Sequence, residues 1–244
     1  MLPELLSVGP FTLYSFGAMM AIALVVPWWF LREDLRDRGI DPASAFWLMF
    51  GAGVGGIGGA KVWYVLDNPG EPLLSGSGLT WYGGLIGGVA GVLLAAVYLK
   101  LPFGEIANAA AAPLAIGYGI GRIGCQLAGD GDYGSPTGLP WGMSYPDGTV
   151  PTDEIVHPTP LYETASMVVL FWLLWRLRGR VTAPWALFGI YCVLAGLERF
   201  LIEFIRRNSE VAAGLTAAQL VSVGLVALGA VLYFTAKPAA PARR

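Results

Sequence analysis

The chain has 244 residues, of which 55% are hydrophobic and only 13% charged, and its mean hydropathy is +0.60. Soluble domains carry about 25% charged residues, so this composition excludes an ordinary water-soluble globule and points to lipid as the surrounding solvent. The formal net charge of −2, with no basic cluster interleaved with exposed aromatics, argues against a nucleic-acid partner.

The start of the chain does not read as a cleaved signal peptide. Glu4 stands where a basic region belongs, and the apolar run 5–31 is too long and leads straight into Arg32. At about 20 residues per crossing, the apolar runs predict seven transmembrane helices at 11–31, 44–66, 79–99, 105–124, 159–176, 183–205 and 214–236. The fourth and fifth carry polar groups at one end, as spans near functional regions often do. The fold class expected is therefore an all-α integral membrane protein.

Charge sets the expected direction. Arg32, Arg36, Arg38, Lys100, Arg176, Arg178, Arg180, Lys237, Arg243 and Arg244 fall on one side, and Arg206 and Arg207 on the other. The positive-inside rule places the larger group in the cytoplasm. The N-terminus and the loop 125–157 then face outward, and the C-terminus faces inward. That loop holds no Lys or Arg but carries Asp130, Asp132, Asp147, Asp153 and Glu154, and it is dense in Gly and Pro. Trp141 and Tyr145 suit the membrane–water interface. A small ordered head is expected between helices 4 and 5.

Arg122 ends an uncharged run, 106–121, at the edge of the fourth span. A guanidinium there is costly by a few kcal/mol or more, so a role for it is expected. The loop closes on His157-Pro-Thr-Pro-Leu-Tyr-Glu163. Pro158 and Pro160 suit a helix start, and His157, the one histidine, then sits ahead of a helix N-terminus, where anions bind. The alternative is a capping or interface residue. Glu163, one turn inside, suits an ion pair with a buried arginine. In the sixth span Arg199, Glu203 and Arg206 share a helix face, with Glu198 a step round. They read either as a self-neutralised structural group or as a guanidinium held ready for a lipid phosphate. Lys61 is either a third anionic contact or a side chain that snorkels past Trp63 and Tyr64. The glycines around it, and those from Gly83 to Gly91, suit close helix packing.

Two patterns are set aside. Gly119, Gly121 and Gly124 match a dinucleotide-binding spacing but follow an apolar helix, not a strand. One His and two Cys far apart, Cys125 and Cys192, suggest neither a disulfide framework nor a metal site.

Gly121-Arg122-Ile123-Gly124, the following Gly-Asp-Gly-Asp-Tyr-Gly (129–134), His157 to Glu163, and Glu198-Arg199-Phe200-x-x-Glu203 together resemble the prolipoprotein diacylglyceryl transferase family. Trp81-Tyr82-Gly83-Gly84-Leu85-Ile86-Gly87 and Gly59-Ala60-Lys61 are similar to it too, so the likeness covers nearly the whole chain in order. The resemblance implies a single transmembrane transferase domain over 1–244, with seven helices and a periplasmic head at 125–157. It implies the bacterial cytoplasmic (inner) membrane, with the N-terminus periplasmic and the C-terminus cytoplasmic. The implied reaction moves a diacylglyceryl group from phosphatidylglycerol to the lipobox cysteine of an exported prolipoprotein, releasing glycerol phosphate, with no cofactor and no metal. Carried over residue by residue, it implies Arg122, Arg199, Tyr82 and His157 in the chemistry. Lys61, Gly83, Gly84, Asp130, Asp132, Tyr133, Gly134, Glu163 and Glu203 are implied around the substrate.

Several positions depart from the family pattern: Cys125 and Ala128 for asparagines, Asp130 or Asp132 for a glutamate, Phe16-Gly17 for Tyr-Gly, Pro160 for a glutamine and Tyr82 for a histidine. The general base is therefore open among Tyr82, His157, Asp130 and Asp132, with Tyr82 favoured as a hydrogen-bond donor to the lipid. Competing readings are a diverged paralogue with another acceptor and a non-catalytic lipid-binding protein or transporter. No in-plane repeat with broken helices supports the transporter.

Overall fold

The structure is a computed structural model that describes residues 1–9, 11–70, 72 and 80–237, with only the backbone of Val8 and Trp81. Leu79, where the third span was expected to begin, and Arg243 and Arg244 lie outside the described residues. The described chain holds seven α-helices: α1 Ser15–Asp37, α2 Ser44–Asp67, α3 Trp81–Tyr98, α4 Phe103–Ala128, α5 Thr159–Leu177, α6 Ala186–Ile202 and α7 Ala217–Thr235. By length and composition α1, α2 and α7 could each cross a membrane. Large apolar side chains such as Tyr98 and Phe234 point outward, 85% and 83% exposed, which suits a lipid solvent.

The described chain is mostly helical, as expected, and adds three short antiparallel hairpins. They pair β1 Glu4–Val8 with β2 Phe11–Tyr14, β3 Met143–Tyr145 with β4 Thr152–Val156, and β5 Glu210–Ala212 with β6 Leu215–Thr216. The first displaces the start of the expected first span, because Leu6 pairs with Leu13 and Ser7 with Thr12 across a turn at Gly9, which has φ of 59°. The third turns through Ala213 and Gly214, both at positive φ, the signature of a tight hairpin. Its end, Thr216, caps α7 in a reciprocal pair with Gln219.

The chain divides into two compact units, residues 28–106 and residues 1–27 with 107–244. In the first, α2 and α3 run antiparallel, with Gly51 facing Gly91, Gly55 facing Gly87 and Gly59 facing Gly83. A Cβ at any of these would strike the opposite backbone. The four-residue spacing on both helices is what permits this approach. At the end of α1, Arg38 is held by Asp34 at 3.1 Å and Glu105 at 2.7 Å.

In the second unit the first half of α1 lies on α4, with Phe16 and Met19 against Gly124 and Pro27 against Gly117. The α5 face Glu163, Met167, Leu170, Leu174 is buried at helical spacing. Met167 and Thr164 pack on Gly119 of α4. Asn108, fully buried, accepts from the Leu187 and Phe188 N–H groups and donates to Ala183, so it serves the start of α6. Helix α4 runs four residues past the expected end of its span, to Ala128. Gln126 in that extension accepts from the Tyr145 hydroxyl at 3.0 Å. A small core of Tyr133, Tyr145 and Val156 orders the segment that follows, and the β3–β4 hairpin forms within it.

Gly55→Val should destabilise the protein by about 3 kcal/mol, the upper end of overpacking costs. Gly53→Val, with nothing within 4 Å of its added Cβ, should change stability little. Thermal unfolding of the two purified variants in one detergent checks this.

Candidate functional site

Glu163 is the most deeply placed carboxylate of the second unit, with no solvent exposure. It sits one turn into α5, whose start is fixed by Pro158 as N-cap and Pro160. Proline there sacrifices no helical N–H. The Glu163 Oε1 atom accepts from the Tyr118 hydroxyl at 2.8 Å and from Arg199 Nη1 at 3.0 Å. Its Oε2 atom lies 3.1 Å from Arg122 Nε and 3.4 Å from Arg206 Nη1. One carboxylate thus faces three guanidiniums brought by α4, by α6 and by the segment after α6.

The other charges close the group. Arg122 and Arg206 both donate to Asp132. Arg199 Nη2 donates to Glu203 at 2.7 Å. Glu203 also accepts from Asn208 at 2.6 Å and from Thr216 at 2.8 Å. Three arginines meet three acids, so the group is neutral overall. That is the condition under which buried charge is tolerable. The expected single helical face of Arg199, Glu203 and Arg206 is altered. Helix α6 ends at Ile202, Glu203–Ile205 is a 3-10 turn, and Arg206 is extended. The tighter turn and the extended exit still bring Arg206 to Glu163.

Asp132 lies in the segment after α4. Burial alone would push its carboxyl up, but the Arg122 and Arg206 guanidiniums outweigh this and hold it below the usual carboxylate range. Its side chain is 32% exposed, against none for Glu163. Access to the cluster is therefore greatest on the Asp132 side.

The remaining expected residues fall into distinct places. Gly134 is a crossing point. Its N–H donates to His157 O at 2.8 Å and its carbonyl accepts from Arg207 Nε at 2.9 Å. A Cβ there would strike Ile205 O, His157 and Thr159, so only glycine fits. His157 stands two residues before α5, and its Nδ1 lies 3.4 Å from the Tyr162 hydroxyl. That hydroxyl also accepts from Trp141 Nε1 at 2.8 Å. Tyr133 stacks on Tyr145 and donates to Val150 O inside the small core, and the Arg207 guanidinium stands 5.4 Å over its ring. Asp130 accepts from the Asp132 N–H at 3.2 Å and shapes the turn. Its carboxylate, that of Asp132 and the Cys125 sulfur lie within 4.8 Å of one another. The linear spacing gave no hint of this trio. Asp132 is already engaged by two guanidiniums, which disfavours a cation there.

Lys61, Tyr82, Gly83 and Gly84 belong to the other unit. Lys61 is 9% exposed and its ammonium stands 5.2 Å over the Tyr64 ring. Tyr82 is about half exposed at the start of α3. Gly83 packs against Gly59 and Trp63, while Gly84 is in ordinary contact with Ala60. Glu198 turns to Ser166 at 2.9 Å and not to Arg199.

Sequence reasoning missed Tyr118, Asn208 and Thr216. Tyr118 was discoverable, because it precedes Arg122 by four residues and so shares its helix face. Asn208 and Thr216 reach Glu203 only through the backbone path after α6, which no pattern announces.

A family model described as prolipoprotein diacylglyceryl transferase matches residues 3–235. Relatives named phosphatidylglycerol–prolipoprotein diacylglyceryl transferase include one from Thermosynechococcus vestitus, 32% identical over 96% of this chain and 93% of its own. One from Pseudomonas putida strain KT2440 is 32% identical over 97% of each. One from Leptospira interrogans serovar Lai is 30% identical over 83% of this chain and 73% of its own.

Glu163→Gln should destabilise by about 3–5 kcal/mol, because it leaves buried guanidiniums uncompensated. Glu154→Gln, at the exposed pair with Arg207, should cost under about 1 kcal/mol. Thermal scans compare them. A pH series checks Asp132. Because its pKa is lowered on folding, its stabilising share is complete above the ordinary Asp value of about 4 and is lost as pH falls through the lowered value. The acid-side loss of stability should therefore be smaller in Asp132→Asn than in the parent.

Proposed function

The chain belongs to the prolipoprotein diacylglyceryl transferase family, and from that premise we propose that it transfers a diacylglyceryl group from phosphatidylglycerol to the lipobox cysteine of exported prolipoproteins. In this reaction the cysteine sulfur bonds to the glyceryl carbon and the carbon–oxygen bond to the headgroup phosphate breaks. Glycerol phosphate leaves, and the thiol proton passes to a base. The observation that carries the reading is the buried arginine cluster around Glu163, most open beside Asp132. Guanidiniums bind phosphate bidentately, and fixed positive groups stabilise the charge that develops on a leaving phosphate.

The protein is a multi-pass membrane protein. We read it as one transferase domain over 1–244, with seven membrane-spanning helices in the bacterial inner membrane. The segment between α4 and α5 is read as a periplasmic head, the N-terminus as periplasmic and the C-terminus as cytoplasmic. The basic residues on the opposite side and the acidic segment after α4 support this direction. Arg122 and Arg199 are assigned to the phosphate, with Glu163 and Glu203 holding them in place. Asp130, Asp132, Tyr133 and Gly134 shape the outer wall, and His157 stands at its rim. Lys61, Tyr82, Gly83 and Gly84 are assigned to the lipid, Tyr82 as a hydrogen-bond donor. A phenol of pKa about 10 is a poor base near neutral pH, whereas donation requires no shift.

The test is transfer of labelled phosphatidylglycerol to a lipobox peptide by purified protein, alongside rescue of cells depleted of their own transferase. Arg122→Lys should lower transfer by about 100-fold or more, since lysine lacks the fork, while the protein still inserts. Wild-type activity in that variant would defeat the phosphate assignment. Tyr82→Phe should keep partial activity with an unchanged pH profile. A dead Tyr82→Phe protein, with a parent rate rising through a high pKa, would instead make Tyr82 the base.

A further inference from the structure

The Arg122 guanidinium has two edges that can each grip an anion with two N–H groups. The side edge is formed by Nε and Nη2, and the end edge by Nη1 and Nη2. On the side edge both N–H groups converge on the Tyr118 hydroxyl oxygen, at 3.0 and 2.8 Å, and Nε also lies 3.1 Å from the buried Glu163 Oε2. That hydroxyl spends its own proton on Glu163 Oε1, at 2.8 Å. Its hydrogen and both lone pairs are then committed, and its direction is fixed from both sides.

The end edge is different. Nη1 donates to Asp132 and, at 3.8 Å, to the Cys125 sulfur, and the second hydrogen of Nη2 has no protein acceptor among the described residues. Asp132 is the exposed member of the group, while Glu163 behind the side edge is fully buried. An incoming anion therefore meets Arg122 from the end edge and competes with Asp132, not with Tyr118.

We propose that Tyr118 is the positioning residue of the site: its hydroxyl occupies the side edge of Arg122, so that the end edge, relieved of Asp132, takes the phosphate of phosphatidylglycerol. This rests on the phosphate assignment made above. Tyr118 acts only through Arg122 and touches no reacting atom.

The full-length protein with 15N-labelled arginine, in detergent micelles, provides the test. Short-chain dihexanoyl phosphatidylglycerol and inorganic phosphate are titrated separately while the Arg122 Nε and Nη resonances are followed. In the parent the Nη signals should move and the Nε signal should stay. Movement with the lipid alone identifies the headgroup, and movement with both identifies phosphate in general. Either supports the edge assignment. An Nε signal that moves with the Nη signals would overturn it.

Tyr118→Phe keeps the ring and removes the hydroxyl. It should raise the KM for phosphatidylglycerol about tenfold, with an unfolding midpoint close to the parent's, and should make the Nε signal respond to lipid. A wild-type KM would overturn the proposal. The parent titration needs no variant, so a Tyr118→Phe protein that does not fold leaves the test intact. If no arginine signal moves in a parent protein that still transfers, the proposal fails while the transferase reading stands. If the parent does not transfer, that reading fails, and the titration still decides the edge.

Discussion

A carboxylate with no access to water, faced by three guanidiniums, is the constraint on which the second unit depends. Charge in a hydrocarbon environment is tolerated only when it is neutralised on the spot. Glu163 cannot be satisfied by α5 alone, nor can Arg122 by α4 or Arg199 by α6. Each helix carries an incomplete charge, and the three are compatible with lipid only when their polar ends meet. Apolar packing holds α4 to α5 along Gly119, Thr164 and Met167, but a small sliding motion would leave such contacts nearly unchanged. Hydrogen bonds near 3 Å between charged groups tolerate little displacement, so the cluster fixes the register of these helices as well as their chemistry.

The same neutrality gives the cluster its relation to a ligand. An anion entering a set of free arginines would be bound without discrimination. On the phosphate reading proposed here, it must replace a carboxylate that is already in place. Asp132 is the member best suited to be replaced, being carried on a loop and partly open to solvent. Glu163 and Glu203 are buried and held by additional partners, Tyr118 for one and Asn208 and Thr216 for the other. On that reading the acids divide into buried supports and one partly open member, a division that follows from exposure and not from residue type.

The unit formed by residues 28–106 is governed by a different force. Lipid offers no hydrophobic drive for two apolar helices to associate, so close contact must come from shape. The paired glycines of α2 and α3 provide it by letting backbone meet backbone. Tyr82 and Gly83 sit at the start of this tight pair, so the exposed phenol stands on a rigid base.

Much of this was legible in the residues. Apolar runs located the seven helices of the described chain, because a long uncharged segment leaves water most readily as a helix, with its backbone groups paired within it. Arg122, Glu163, Arg199 and Glu203 were conspicuous because charge is rare in such segments. What the sequence left open is of another kind. It showed Arg199 and Glu203 four apart, but not that Glu163 from another helix would complete the pair. It put Tyr118 one turn before Arg122, but an aromatic in an apolar helix is ordinary until its hydroxyl is seen between a guanidinium and a carboxylate. It placed Arg206 on one helix face with Arg199 and Glu203, whereas the helix ends at Ile202 and a 3-10 turn and one extended residue bring Arg206 to Glu163. Composition and periodicity report the solvent of each segment, and that was enough to determine the helices and to single out the costly charges. Which charge meets which, and through which edge, depends on distances of a few ångströms between helices far apart along the chain, and only the tertiary structure decided it.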